Sequence, residues 1–469
     1  MTGLPLARSA PAAQRVSSRA IAAFLDRLTA ESIECHSVMI MRHGHVIAEG
    51  WWQPYSAERP HLLYSLTKSF TAIAVGFAVA DGLLALDDRV VDVLPDHVPG
   101  GVTSRAAELT VRHLLTMTTG HRVDSLEQAW ILEPADLVRG FLRVPILDPP
   151  GSRQHYDNSN AFVLARMVES VTGRDLPTLL DERLFGPLGI KEAEWDRVAG
   201  GAAFGFHGLH LTTESIATFG ELLLRGGREL IPRDWVEQAT THQVGTEQLP
   251  DGSRHPDELH GYGYQFWMSR HGYRGQGAFG QYCLVLPEQD MVIALTTGGE
   301  TTLLEAVWDC LLPGVDVTDS AENDADLAAR LRHLSLPIPA GDLAAGRSTH
   351  AIIDATTDGS ALPPGTSVTV DPVTGGWQVR IDTPQSTLTV EVGHAAWRES
   401  SPLGRPVVAA GAWQGETFVA DLYVITTPHR VHLVVEPTAA VATWNVVPLT
   451  GPNLLLHLRS PLMTRPDVS

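Results

Sequence analysis

Strand-like alternation opens and closes the first 318 residues of this chain, and helical periodicity fills the stretch between. Ser37 to Arg42, a His43-Gly44 turn, and His45 to Trp52 read as a β-hairpin. Near the other end, Tyr282 to Leu286 and Met291 to Thr297 flank Pro287-Glu-Gln-Asp290 and read as a second hairpin. From 108 to 240, segments such as Leu109 to Leu115, Ala161 to Val171 and Ser215 to Leu224 carry apolar residues at three- and four-residue spacing. That order predicts an α/β (α+β) unit whose sheet is assembled from both ends of the segment.

Two more helices are predicted in this unit, over 16–30 and over Ser65 to Ala80. The second is apolar almost all round and therefore expected in the interior. Beyond 325 the pattern changes. Ser367 to Val370, Gly376 to Ile381, Ser386 to Val392 and Val431 to Val435 alternate between Pro, Gly and Asp turns. Short strands at such intervals predict an antiparallel all-β domain, a sandwich or a barrel. The expected organisation is a first domain over 1–318 and a C-terminal β-rich domain over 325–469.

Length fits this division, since 469 residues at ~150 per domain give two or three. A net charge of −20 argues against nucleic acid or an anionic membrane as a partner. No apolar run reaches the ~18 residues of a membrane span, and Met1 to Arg8 lacks the basic-then-apolar order of a secretory signal. Cys35, Cys283 and Cys310 form neither a disulfide framework nor a metal-ligand spacing. The expectation is a reduced, cytoplasmic protein without cofactor or metal, acting on a small molecule, with a homo-oligomer left open.

Of 34 Lys and Arg side chains, only Lys68 and Lys191 are lysine. Coding bias accounts for most of that, yet a retained lysine can do what arginine cannot, which is to lose its proton. Lys68 stands three residues after Ser65, so the amine and the hydroxyl share one helix face. A buried lysine tends toward the neutral amine and so toward being a base, while the helix N-terminus favours a developing anion. The plainer reading makes Ser65 an N-cap and Lys68 a snorkelling side chain.

Two further groups of residues read both ways. Tyr156-Asp157-Asn158 offers a phenol and an amide before a helix, fit for relaying a proton or merely for capping. Arg274-Gly-Gln-Gly-Ala278-Phe-Gly-Gln281 leads into a strand, where glycines permit a close backbone approach. A backbone N–H there would join that of Ser65 in an oxyanion hole, or the segment is a hairpin loop. His207 and His210 suggest a metallohydrolase instead, though no H-E-x-x-H or carboxylate–histidine cluster supports them.

Taken in order, these motifs resemble the serine β-lactamase and penicillin-recognising superfamily, in the branch of class C β-lactamases, family VIII esterases, D-aminopeptidases and amide hydrolases. Leu63 to Ala72, Asp81 to Asp88, Val111 to His121 and Tyr262 to Trp267 are similar to landmarks of that family. The resemblance covers roughly residues 15 to 312. It implies a five-stranded antiparallel sheet flanked by helices, with a helical subdomain. It also implies Ser65 as the acylated nucleophile and Lys68 with Tyr156 as one coupled base. Asn158 would hold Lys68 and a substrate carbonyl, and Gln276, Gly277 and Ala278 would occupy the third motif and the oxyanion region. That motif usually begins with Lys or His. Here the best match is Gln276-Gly277 without the cation, with Arg274 as a substitute cation two residues away. The missing cation turns the expectation from a β-lactam or D-alanyl terminus toward a carboxylesterase or amide hydrolase. A β-lactamase, a D-amino-acid peptidase and a non-catalytic ligand-binding descendant are the alternatives.

Overall fold

The computed structural model describes residues 6–459 apart from 199–200, 250–251, 300–302, 355 and 358. The two predicted hairpins lie side by side in one sheet, in the order Ala7–Arg8, His45–Trp51, Cys35–Arg42, Met291–Thr297, Gln281–Leu286, Gly272–Gly277, Trp267–Ser269. Met291–Thr297 runs antiparallel to Cys35–Arg42, with Ile293 opposite Ile40. The five long strands are all antiparallel, as the resemblance implies. Two short edge pieces bring the described sheet to seven strands. One of them, Ala7–Arg8, pairs in parallel with His45 and Val46.

Cys35–Arg42 is buried along its whole length because the sheet is covered on both faces. Val38 and Ile40 pack with Phe24, Leu25 and Val307, whereas Met39 and Met41 pack with Phe70, Phe219 and Leu222. Helix Ser18–Ala30 covers the first face, with the Ser17 side chain accepting from the Ala20 backbone N–H at its start. Helix Ala321–Leu331 packs Leu327 and Leu331 into the same core. The second face carries Thr213–Leu224 and Thr67–Ala80, with the helices of 104–188 beyond. Thr67–Ala80 is buried on all sides. Its Gly76 leaves room for Trp235, whose Nε1 a Cβ there would approach to 2.3 Å.

The C-terminal strands form one sheet, from Thr349–Ile352 through Ser367–Val373, Gly376–Asp382, Thr387–His394, Val407–Gln414, Thr417–Val424 and Arg430–Val435 to Ala440–Trp444. The short strand Arg398–Ser400 pairs beside Val407–Gln414. This sheet curls into a nearly closed barrel around Val368, Trp377, Val390, Phe418 and Leu433. Of the two expected forms, sandwich and barrel, it takes the barrel-like one. It is not wholly antiparallel, because Gly393 and His394 run parallel to Ala410 and Gly411. After the last strand the chain returns over the first unit and ends its described part in a short helix, Leu454–His457. No helix among the described residues is long and apolar enough to cross a membrane.

Candidate active site

Ser65 does not open the long helix as the apolar pattern suggests. Tyr64–Leu66 forms a separate 3₁₀ turn, and the α-helix begins at Thr67. The cause lies one residue upstream, where Tyr64 holds a left-handed φ of 49°. Such a conformation is unfavourable for a non-glycine residue and requires support from its surroundings. Ser65 is left half-buried at the mouth of a cavity while Leu66 and Lys68 point inward.

The Lys68 amine lies 2.9 Å from Ser65 Oγ, 2.7 Å from Asn158 Oδ1 and 3.0 Å from the Phe206 carbonyl oxygen. A neutral amine has two N–H donors and one lone pair. Two of its neighbours are carbonyl oxygens that can only accept, so the lone pair is directed to the hydroxyl of Ser65. Burial holds the Lys68 pKa down to about 7, against the opposing charges of Asp124 and Asp157.

Asn158 is the first residue of helix Asn158–Thr172, and its backbone N–H donates to Asp124 at 3.1 Å. Its side-chain Nδ2 also donates one of its two N–H bonds to Asp124, and Asn158 lines the cavity at Ser65. Burial pushes the Asp124 carboxyl up to about 6, with the charge of Asp157 adding to the effect. Burial acts in the same direction on Asp157, but the His121 imidazole and the Ser125 hydroxyl outweigh it and hold that carboxyl below its usual range. Tyr156 lays its ring over Lys68, with the amine 4.8 Å from the ring centroid, and stacks on Trp267.

The third motif is a strand rather than a loop, Gly272–Gly277, packed directly against the serine turn. A Cβ on Gly277 would stand 1.9 Å from the Leu63 carbonyl oxygen, and one on Gly275 2.2 Å from Leu66 Cδ1. The alternate residues Arg274 and Gln276 project from the other face. Arg274 is wholly buried and cannot serve as the substitute cation. Its Nη1 donates to the Met268 carbonyl and to Ser269 Oγ, and its Nε donates to Gln276 Oε1 at 2.8 Å. Gln276 is thereby turned toward Arg274 and Glu258. Ala278 follows at the strand's end, in a turn where Phe279 has a φ of 64°.

The cavity at Ser65 measures about 660 Å³ and is walled by Leu126, Trp130, Phe204 and Phe206, with Leu449 and Leu456 from the C-terminal segment. Asp124 and Glu127 are its charged lining residues, and no lysine or arginine lines it. A larger groove of about 1020 Å³ runs between Trp51 and Trp397, and neither Ser65 nor Asn158 lines it. Sequence reading missed Asp124 and the walls from 204–207 and 449–456. Asp124 stands in a loop 34 residues before Asn158, with no motif around it.

His207 and His210 do not form a ligand pair. His210 is bound through its two ring nitrogens to the Thr426 carbonyl and to Asp196, while His207 stacks on Tyr64. Among the described residues one group has metal-ligand spacing, His255, Asp257 and Glu305, with donor atoms within 4.8 Å of one another. Asp257 is already paired with Arg270 and the Trp308 indole N–H, and Glu305 with His255.

A family profile described as Beta-lactamase matches residues 19–307. The chain is similar to a 6-aminohexanoate-dimer hydrolase of Paenarthrobacter ureafaciens, 24% identical over 285 residues, covering 54% of this chain and 70% of that protein. It is also similar to the esterase EstB of Burkholderia gladioli, 30% identical over 210 residues, covering 39% and 53%. The chain thus spans about half the length of that esterase, and it spans 32% of D-aminopeptidases that it also matches. Among solved structures, EstCE1, a hydrolase with promiscuous acyltransferase activity, shares the fold, with a TM-score of 0.51 at 17% identity over 62% of this chain and 96% of that one.

Proposed function

The chain belongs to the beta-lactamase family and is a serine hydrolase, and we propose that it cleaves a small ester or amide through an acyl-enzyme on Ser65. Lys68 in its neutral form takes the Ser65 proton as the oxygen attacks the substrate carbonyl. The backbone N–H groups of Ser65 and Ala278 receive the developing oxyanion. Lys68 and Tyr156, acting as one titrating unit, return the proton to the leaving group, and water then releases the acyl group. Asn158 holds the amine in place, and Asp124 holds Asn158. The observation that supports this reading is the Lys68 amine placed between two carbonyl acceptors and the Ser65 hydroxyl.

The cavity also favours a substrate class. A substrate carboxylate would meet Asp124 and Glu127 there and find neither lysine nor arginine. Arg274 is spent on Gln276 and backbone carbonyls. An acyl donor without a carboxylate fits better, which favours a carboxylesterase over a β-lactamase. The relatives named as a 6-aminohexanoate-dimer hydrolase and as D-aminopeptidases make amide cleavage the second reading. We also retain units of 1–318 and 325–469, with helix Ala321–Leu331 lying across that boundary on the first core.

The test uses p-nitrophenyl esters of short acids with Ser65→Ala and Lys68→Arg. Both variants are expected to lose activity by at least roughly 10³-fold. A fluorophosphonate is expected to transfer its phosphonyl group to Ser65, with loss of fluoride, in the parent protein and not in Ser65→Ala. Full turnover in either variant, or labelling elsewhere, would overturn the mechanism. Comparison with p-nitroanilides and nitrocefin then ranks ester, amide and β-lactam.

A further inference from the structure

The expected oxyanion hole is flanked by two non-glycine residues in left-handed conformation, Tyr64 with φ 49° and Phe279 with φ 64°. Tyr64 precedes Ser65 and sets the direction of the peptide unit that carries the Ser65 N–H. Phe279 turns the chain immediately after Ala278. Such conformations persist where surrounding contacts impose them. The contact common to both is a side chain from the other unit of the molecule, His429.

The rings of Tyr64, Phe279 and His429 form a closed triangle. Their centroids are 5.2, 5.3 and 5.7 Å apart, and each pair meets edge to face. His429 is 1% exposed. Its Nδ1 lies 3.0 Å from the Val446 carbonyl oxygen, which can only accept, so Nδ1 carries the hydrogen. Nε2 is then bare and accepts from the Tyr64 hydroxyl. Burial agrees with this tautomer by keeping the imidazole neutral and the phenol protonated. The His429 backbone is fixed in turn, its N–H donating to Thr427 Oγ1 and its carbonyl accepting from the Val424 N–H.

We propose that His429 is a positioning residue for the oxyanion hole, holding the peptide units at Ser65 and Ala278 through Tyr64 and Phe279. The inference rests on the acyl-enzyme reading above. It gives the C-terminal barrel a part in the chemistry, because the groups that stabilise the transition state are aligned by a side chain some 365 residues further along. His429 touches no reacting atom.

The test compares His429→Phe, which keeps a ring and removes the acceptor, with His429→Gln, which restores an acceptor. Tyr64→Phe removes the donor, and the double variant His429→Phe with Tyr64→Phe completes a cycle. On a p-nitrophenyl ester, His429→Phe is expected to lower kcat roughly 10- to 100-fold with KM changed by less than about threefold, since a displaced donor costs transition-state binding and little ground-state binding. The pH midpoint of the rate is expected to stay where Lys68 sets it. His429→Gln is expected to recover part of kcat, and the double variant to be no slower than the worse single one.

Fluorophosphonate labelling of Ser65 in the parent protein is measured first. Its absence would overturn the acyl-enzyme reading itself. With labelling present, an unchanged kcat in folded His429→Phe would overturn this inference alone, and so would a shifted pH midpoint. If His429→Phe fails to fold, Tyr64→Phe decides in the same way, since it breaks the same bond from the other side.

Discussion

Lys68 combines a burial that opposes charge with two nearby carboxylates that favour it, and the balance leaves its pKa at about 7. Activity that needs the neutral amine rises with pH through that value, so kcat/KM on an ester is expected to show an acid limb centred near 7. Asp124 stabilises the ammonium, and removing its charge makes the proton easier to lose. Asp124→Asn is therefore expected to move the limb to lower pH, and a shift to higher pH would show that another group titrates. Lys68 could be recognised in the sequence because a chain so poor in lysine kept one three residues after a serine. Asp124 could not, since its importance arises only from hydrogen bonds to Asn158 across a loop. Arg274 misled for a related reason. A cation beside a glycine-rich strand looks available until its guanidinium is seen enclosed by Asp257, Met268 and Ser269.

Strand Gly272–Gly277 and the Tyr64–Leu66 turn fit together only because glycines alternate along one face of the strand. Gly277 approaches the Leu63 carbonyl so closely that any side chain must push the two elements apart. Gly277→Ala is expected to destabilise the fold by about 1–3 kcal/mol and to lower kcat well beyond what lost stability explains. Urea unfolding and ester kinetics on the same sample check this. Gly100→Ala, at a position with nothing within 4 Å, serves as the control and is expected to change stability by less than about 0.5 kcal/mol. Equal behaviour of the two variants would refute the packing argument. The glycines were visible in the sequence as a hint of close approach, and the two hairpins as apolar runs around turns. The break between the 3₁₀ turn and the helix was not, because a tyrosine gives no local signal of a left-handed conformation. That conformation is imposed by residues hundreds of positions away.

The two units meet through an apolar cluster of Tyr55, Leu336, Val408, Tyr423 and Ile425 and through a set of polar pairs. Leu62 donates its N–H to the Thr426 carbonyl, Arg405 pairs with Asp196 at 2.7 Å, and Arg430 pairs with Glu34. Around these bonds lie five histidines that burial holds below their ordinary pKa. His457 is held at about 4, His207 at about 3, His61 and His429 well below 6.5, and His36 lowered despite the pull of Glu34. Nothing in the sequence marks this cluster, because its members come from strands, turns and a terminal helix spread over some 420 residues. In the unfolded chain these imidazoles bind protons below about 6.5, whereas in the folded protein His61, His207, His429 and His457 stay neutral to much lower pH and His36 to a lower one. The unfolded state therefore holds more protons in that window. Stability is full above about pH 6.5 and falls with acid by about 1.4 kcal/mol per pH unit for each such histidine. The urea midpoint is expected to drop steeply between pH 7.5 and pH 5. His457→Gln removes one titrating ring and is expected to flatten the dependence over the same interval. A urea midpoint that holds constant from pH 7.5 to pH 5 would show that the junction does not carry this linkage.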